Sequence, residues 1–489
     1  MDAANNLENL DSLGSQKEID NSSMKQFFSD IGQDIIKYFP SKIFGSFGNL
    51  IMVAIYTNLL SPAQYGIYIV ATAVLSFLCI IFSDWIGISG LRFFTENKSK
   101  GCIKSYFSTL LFLLVSNLIF LFIASFFAFN FITSYFKIPS FILIVVLLLM
   151  IPVAVRALLF QILRAQIQPI VYSFSVILNQ VTTILISVYF VTQWHLGGLS
   201  LLLGMAFSII VVNIIMFYMS NVHHILVFNK VKTDILKEFY KYGVPISLAS
   251  IGMWILTQSN KFVLQHYSGS HYNGILGVGF NLTFSVILPL FAVITIAAIP
   301  RIFNMYQEGK NVNPVITRLT EYYFVIFSPI VLILCLFPTE ITAIFSSKAY
   351  AEAQILIPFL ALSIFIFGLT EYTTLQYHLV KKTYIDSFIK LASGFIGLAL
   401  SIILIPKYGI LAVGISTLAS NFVYLILTLI IRVRDLAYVP PYKTIAKVVL
   451  AISASIFAFY ALQNPYQQLF TVLLVYAVII KLSIKSRFV

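Results

Sequence analysis

Four ionisable side chains lie deep inside long apolar stretches of this sequence: Asp84, Arg156, Lys261 and Glu371. A charge at the centre of a membrane-spanning helix costs about 2.5–3.5 kcal/mol on insertion scales, so such a residue faces protein or water rather than lipid. Each has polar company at helical spacing. Asp84, Ile88 and Arg92 share a face, with the two charges about 12 Å apart along the axis. Trp254, Gln258, Lys261 and Gln265 form a second stripe, and Glu371 and His378 a third, with Tyr372 beside Glu371. Arg156 shares its helix with Gln161, Arg164 and Gln168. Asp386 and Lys390, four apart at the start of a helix, read as an ion pair with Lys390 reaching toward the interface.

The cations Lys42, Arg92, Arg156 and Lys261 outnumber the anions near the first, second, fourth and seventh apolar segments. Cations around a wet cavity suit an anionic substrate, and arginine suits phosphate through its planar, bidentate donors. These four are therefore the candidate substrate-binding residues. Asp84 and Glu371 admit two readings: binding of a coupling cation, or an interhelical pairing that only fixes packing, such as Asp84 with Lys261.

The elements that position these residues follow from composition. Hydrophobic residues make up 59% of the 489 and charged residues 10%, with mean hydropathy +0.93. A soluble domain carries about a quarter charged residues and a disordered chain few apolar ones, so the chain reads as an all-α integral membrane protein. Fourteen apolar segments run from 42–60 to 466–484. Sorting the 31 Lys and Arg over the connections puts 26 on one side, three (Lys137, Lys348 and Lys407) on the other, and Lys261 and Lys390 within segments. That bias places both termini in the cytoplasm.

A parallel repeat overlays this pattern. Pro40, Tyr65-Gly66-Ile67 and the turn at Gly197 recur as Pro245, Asn273-Gly274-Ile275 and the turn at Gly409, at offsets of 205, 208 and 212 residues. Six spans duplicated, with two added, give an N-lobe over 39–219, a basic cytoplasmic linker over 220–242, a C-lobe over 243–434, and two last helices with a short tail over 435–489. Residues 1–38 hold seven acidic residues and three lysines and read as a polar cytoplasmic tail or a short amphipathic lead-in. Translation from Met24 would make 1–23 an extension. Substrate between two repeats is a transporter arrangement.

Other function classes find no support. The net charge of +13 is scattered through short connections, which is topology control rather than a nucleic-acid surface. Cys79, Cys102 and Cys335 are far apart and lack metal-ligand spacing. No phosphate-binding glycine loop, zinc spacing or nucleophile elbow is present, and no cofactor is expected. The connections are too short for a catalytic or ATP-hydrolysing domain. His223-His224 falls in the basic linker and reads as solvated.

Several motifs resemble one family. Leu59-Leu60-Ser61-Pro62-Ala63-Gln64-Tyr65-Gly66-Ile67-Tyr68 resembles the first outer loop of the polysaccharide transporters. These include the O-antigen flippases of the multidrug/oligosaccharidyl-lipid/polysaccharide exporter superfamily. Asp84-Trp85-Ile86-Gly87-Ile88 with Arg92 is similar to that family's second span. Tyr242-Gly243-Val244-Pro245 with Ser259-Asn260-Lys261 is similar to its seventh, and Tyr408-Gly409-Ile410 to its eleventh-to-twelfth turn. The resemblance covers about residues 40–435. It departs at Asn260-Lys261, where the family often has Asp-Arg, and at Leu276, where Tyr is expected. It implies a flippase moving undecaprenyl-diphosphate-linked oligosaccharide across a bacterial inner membrane by rocking of two lobes. The implied partners are that lipid-linked substrate, membrane lipids, and a glycan polymerase with its chain-length machinery. The rival within the superfamily is a cation-coupled multidrug antiporter; a membrane glycan polymerase would need a long outer loop that this chain lacks.

Overall fold

The computed structural model describes residues 21–220, 231–433, 436 and 440–485, with the side chain of Lys42 outside that description. The first twenty residues of the tail and residues 221–230 of the basic linker, His223-His224 among them, also fall outside it. Among the described residues the regular structure is helical: α1 Asn21–Leu59, α2 Pro62–Ser99, α3 Ile103–Phe136, α4 Ser140–Ala165, α5 Pro169–Trp194, α6 Gly198–Met219, α7 Thr233–Gln307, α8 Asn313–Leu336, α9 Pro338–Phe345, α10 Ile357–Leu379, α11 Thr383–Tyr408, α12 Ile410–Ile430, α13 Tyr442–Tyr460 and α14 Pro465–Lys485. In hydrocarbon every backbone donor needs an internal partner, which is why apolar runs of this length become helices. Eleven of the described helices are long and apolar enough to cross a membrane, and Phe44–Leu59 and Pro465–Lys481 are shorter apolar stretches. Their outward faces are apolar: Phe126 and Phe127 are each 80% exposed. The protein is a multi-pass integral membrane protein.

Three local devices set the geometry. Gly269 breaks α7 into two antiparallel limbs with φ 80° and ψ −176°, a conformation open to glycine alone. Ser61 and Gln64 form a capping box at the start of α2, with Pro62 in its first turn, so the chain turns sharply out of α1. Residues Ile80–Asp84 of α2 form a π turn, which rotates the lower part of that helix relative to the upper. The repeat-related turns at Gly197 and Gly409 share positive φ, 59° and 56°.

Two cores result. One joins α2, α3, α4 and α6, burying Ile86, Leu110, Met150, Leu202 and Ile209. The other joins both limbs of α7 with α8, α10 and α12, burying Leu276, Ile302, Tyr323, Leu360 and Val413. Helices α13 and α14 pack together and against Leu332 of α8 as a satellite. The first helix differs from expectation. It starts at Asn21 and runs unbroken into the first apolar segment, and Phe27 and Ile31 are buried in the second core. The expected boundary at 38/39 therefore falls within one helix.

Candidate interlobe site

We call the lysine- and arginine-poor end of the bundle the outer end. Helix α2 is the spine of the contact between the cores. It runs antiparallel to the first limb of α7, where Trp254 Nε1 donates to Ser76 Oγ at 3.0 Å and Ser247 Oγ to the Ile80 carbonyl at 2.8 Å. It runs parallel to the second limb, where Asn281 Nδ2 donates to Tyr65 Oη at 3.2 Å. At the outer end the two repeat glycines interlock. A Cβ on Gly66 would overlap the Ser270 carbonyl, and one on Gly274 would overlap the Pro62 carbonyl. Backbone thus meets backbone in both directions, a separation that small residues alone allow. A strap reinforces this end: Lys137 Nζ donates to the His266 carbonyl at 2.9 Å, and the Tyr135 ring stacks on His266 with centroids 4.9 Å apart.

Below that closure lie Arg156 and Lys261. Arg156 sits one turn after Pro152, whose carbonyl accepts from Asn213 Nδ2 at 2.7 Å. Helix α4 runs beside α2, with Cys79 Sγ 3.6 Å from Met150 Sδ and Gly87 facing Gln161, so the π turn ending at Asp84 lies level with Arg156. The guanidinium donates to Asn179 Oδ1 at 3.4 Å and feels Tyr68 and Asp84 electrostatically. Lys261 Nζ lies over the Phe280 ring, 5.7 Å from its centroid. Among the described residues neither cation has a carboxylate within 4 Å. Among the described residues the pairing of Asp84 with Lys261 is not formed, and Asp84 accepts from Ser83 Oγ at 3.4 Å. Trp254 and Gln265 of the same stripe are spent elsewhere, Gln265 on Ser270 and Asn273, while Gln258 Oε1 is buried without a partner.

Arg92 is not brought to this group. It is exposed near the inner end of α2, its guanidinium 5.7 Å from the Phe93 ring centroid. Helix α2 has 38 residues, about 57 Å against a hydrocarbon core of about 30 Å, so its last turns clear the membrane. Glu371 lies apart too, in the C-lobe. Lys390 Nζ is 2.8 Å from Asp386 and 3.7 Å from Glu371, and Asp386 also accepts from Tyr424 Oη at 2.7 Å and pairs with His378 at 3.3 Å. The Asp386–Lys390 pair expected from spacing is present, inside a larger cluster. Asn260, where the family often has Asp, is held by neutral partners: it donates to Thr417 Oγ1 at 2.7 Å and accepts from Ser401. Among the described residues no three His, Cys, Asp or Glu side chains gather as metal ligands.

Sequence reasoning missed Tyr68, Asn179 and Phe280 around the cations. Asn179-Gln180 in the middle of an apolar segment was an available signal, since an amide inside a span seeks an interhelical partner; Gln180 indeed reaches Asn49 of α1 at 3.3 Å.

The polysaccharide biosynthesis protein family matches residues 23–306, more than half of the chain. The chain belongs to that family. Its fold is shared with a solved lipid II flippase MurJ in an inward closed conformation: TM-score 0.77, 17% identity, 93% of this chain and 99% of that one covered. An inward-facing multidrug resistance MATE transporter of the MOP superfamily follows at TM-score 0.64 and 13% identity, with 85% and 95% covered. A MOP superfamily transporter from Pyrococcus furiosus gives 0.52 and 13%, with 90% and 99% covered. No curated protein sequence matches the chain. The solved structures that share its fold are thus a lipid II flippase and transporters of the MOP superfamily.

Proposed function

We propose that the protein is a flippase for an oligosaccharide carried on undecaprenyl diphosphate, serving O-antigen or another surface polysaccharide in a bacterial inner membrane. The observation that carries this reading is the state of Arg156 and Lys261: two half-buried cations, one from each side of the contact between the cores, with no carboxylate within 4 Å among the described residues. An uncompensated charge at that depth is costly, and a diphosphate supplies the missing anion through charge-assisted hydrogen bonds. Counting the two limbs of α7 separately, and adding the shorter stretches in α1 and α14, supports fourteen crossings; with that even number, the charge bias of the connections puts both termini inside in this reading.

Alternating access then needs the outer closure at Gly66 and Gly274 to part while the lobes rock about α2. In this reading Arg156 and Lys261 hold the diphosphate, Lys42 and Arg92 draw it in from the cytoplasmic end, and the polyprenyl tail stays in lipid. Asp84, half-buried on the same level as Arg156, is the better candidate to bind a coupling cation, because Glu371 is already committed to Lys390. Glycan polymerase and chain-length proteins would be downstream partners. A multidrug antiporter would want the opposite polarity, an acidic site for cationic drugs.

The test is the polyprenyl-linked glycan content of a strain lacking the protein, rescued with wild type or with Arg92, Arg156 or Lys261 changed to Ala. Accumulation of complete, unpolymerised repeats on the inner leaflet, cleared by wild type and not by Arg156→Ala, is the expected result. Normal surface glycan with no accumulation would overturn it.

A further inference from the structure

The short turn that joins α4 to α5 at the inner end is inverted in polarity. Its residues are Gln166, Ile167 and Gln168. The side-chain oxygens of both glutamines are buried and meet no donor among the described residues. Ile167, and Ile170 in the first turn of α5, are each 83% exposed. Beside water the reverse is favourable, because a buried amide oxygen without a donor is costly and an exposed isoleucine gains nothing.

Ile167 also occupies a strained backbone position. The Gln168 N–H donates to the Leu163 carbonyl at 3.0 Å and the Ile167 N–H to the Arg164 carbonyl at 3.1 Å. These are the paired bonds of a helix end whose left-handed residue is usually glycine. Ile167 has φ 55°, a region that strains a β-branched side chain. The other described non-glycine residues with positive φ are Lys137, His195 and Lys381, all polar. Three other inner turns are described in full, and each carries lysine: Lys100 between α2 and α3, Lys310 between α7 and α8, Lys381 and Lys382 between α10 and α11. The α4–α5 turn carries no charge.

Helix length sets its depth. Helices α2 and α3 have 38 and 34 residues, about 57 and 51 Å, so their turn clears a bilayer of about 40–45 Å with its headgroups. Helices α4 and α5 have 26 residues each, about 39 Å, and their turn ends within the headgroup layer. From Ile170 the exposed residues Phe174, Ile177, Val181 and Leu185 follow at helical spacing along α5, the apolar stripe that faces lipid. Ile167 continues that stripe past the helix end.

We propose that the α4–α5 turn is seated in the cytoplasmic leaflet rather than in the cytoplasm, with Ile167 and Ile170 at the boundary of headgroups and acyl chains. Arg164, exposed one turn earlier, extends its guanidinium to the lipid phosphates. The leaflet thereby holds the inner end of the helix that carries Arg156. This seating follows from the placement of the bundle in the membrane and is independent of the flippase reading.

The test is the depth of a nitroxide label on full-length protein in vesicles of phosphatidylethanolamine and phosphatidylglycerol, with Cys79, Cys102 and Cys335 changed to Ala. Labels are placed singly on Ile167→Cys, Ile170→Cys and, as the solvated reference, Lys100→Cys. The ratio of collisions with oxygen, which concentrates in lipid, to collisions with a water-soluble nickel chelate is expected to be several-fold higher at 167 and 170 than at 100. Size-exclusion profiles verify the folding of each variant, and Ile170→Cys, in a regular helical turn, carries the test should Ile167→Cys misfold. Ratios equal to that at 100 would return the turn to the cytoplasm and overturn the proposal. Few collisions with either reagent at 167 and 170 would mean that protein covers the turn, and would overturn the lipid assignment.

Discussion

Two regions of the molecule treat buried charge in opposite ways. Where α10, α11 and α12 meet, Lys390 stands between Asp386 and Glu371, and Asp386 is further bound by His378 and Tyr424. Around α2 and α4, and across in α7, Arg156 and Lys261 have an amide and an aromatic ring for company. The first arrangement is complete without a ligand, because every charge meets its opposite at short range. The second is incomplete, since an amide and a ring stabilise a cation without neutralising it. Completeness marks structure; incompleteness marks where an anion is to come.

Substitutions in each region test this contrast. The largest effect on stability is expected at Lys390→Met, which leaves two carboxylates facing each other. Removing one partner of a buried pair costs about 3–5 kcal/mol, and thermal unfolding of the purified protein should show it as a clear drop in Tm. Arg156→Ala should do the reverse, leaving Tm within error while weakening polyprenyl-diphosphate transport. Loss of its charge-assisted hydrogen bonds is worth about 1.5–3 kcal/mol, tenfold or more. Arg156→Lys, which keeps the charge and loses the fork, should fall between.

Gly66→Ala acts on neither charge set. Its methyl group collides with the Ser270 carbonyl, and overpacking of about 1–3 kcal/mol falls on the outward-closed state alone. A cysteine at Ser270 should then react with an impermeant thiol reagent from outside several-fold faster than in the Gly66 protein. Lys261→Met is expected to cost transport less than Arg156→Ala, because an ammonium offers the diphosphate a point charge without the bidentate fork. Arg92→Ala, at an exposed position, should stay within about 0.5 kcal/mol in stability and reduce transport least of the three cations.

Much of this was legible in the sequence because bilayers impose simple rules. Hydropathy located the helices, and the repeat marked the turns at Gly197 and Gly409 and the equivalence of Gly66 and Gly274, though not that the last two interlock. Helical spacing correctly paired Asp386 with Lys390, which lie on one helix. It could not show that Glu371, His378 and Tyr424 join them from two others, because periodicity names a face and not the helix it meets. Sharing a helix face misled at Arg92: its spacing from Asp84 grouped it with the cavity cations, while the structure leaves it exposed near the inner end of α2. The π turn before Asp84 has no sequence signature, and it decides which way that carboxylate points. Asn260 was legible as a lost acid, and its neutral partners Thr417 and Ser401 explain how the position does without one.

Whether Arg156 and Lys261 are left open for an anion is tested most directly by equilibrium binding. Affinity of the purified protein for a short-chain polyprenyl diphosphate should fall about tenfold or more in Arg156→Ala, less in Lys261→Met, and not at all in Arg92→Ala, with Tm unchanged in each. Equal affinity in wild type and Arg156→Ala would contradict that reading, and would return both cations to a packing role.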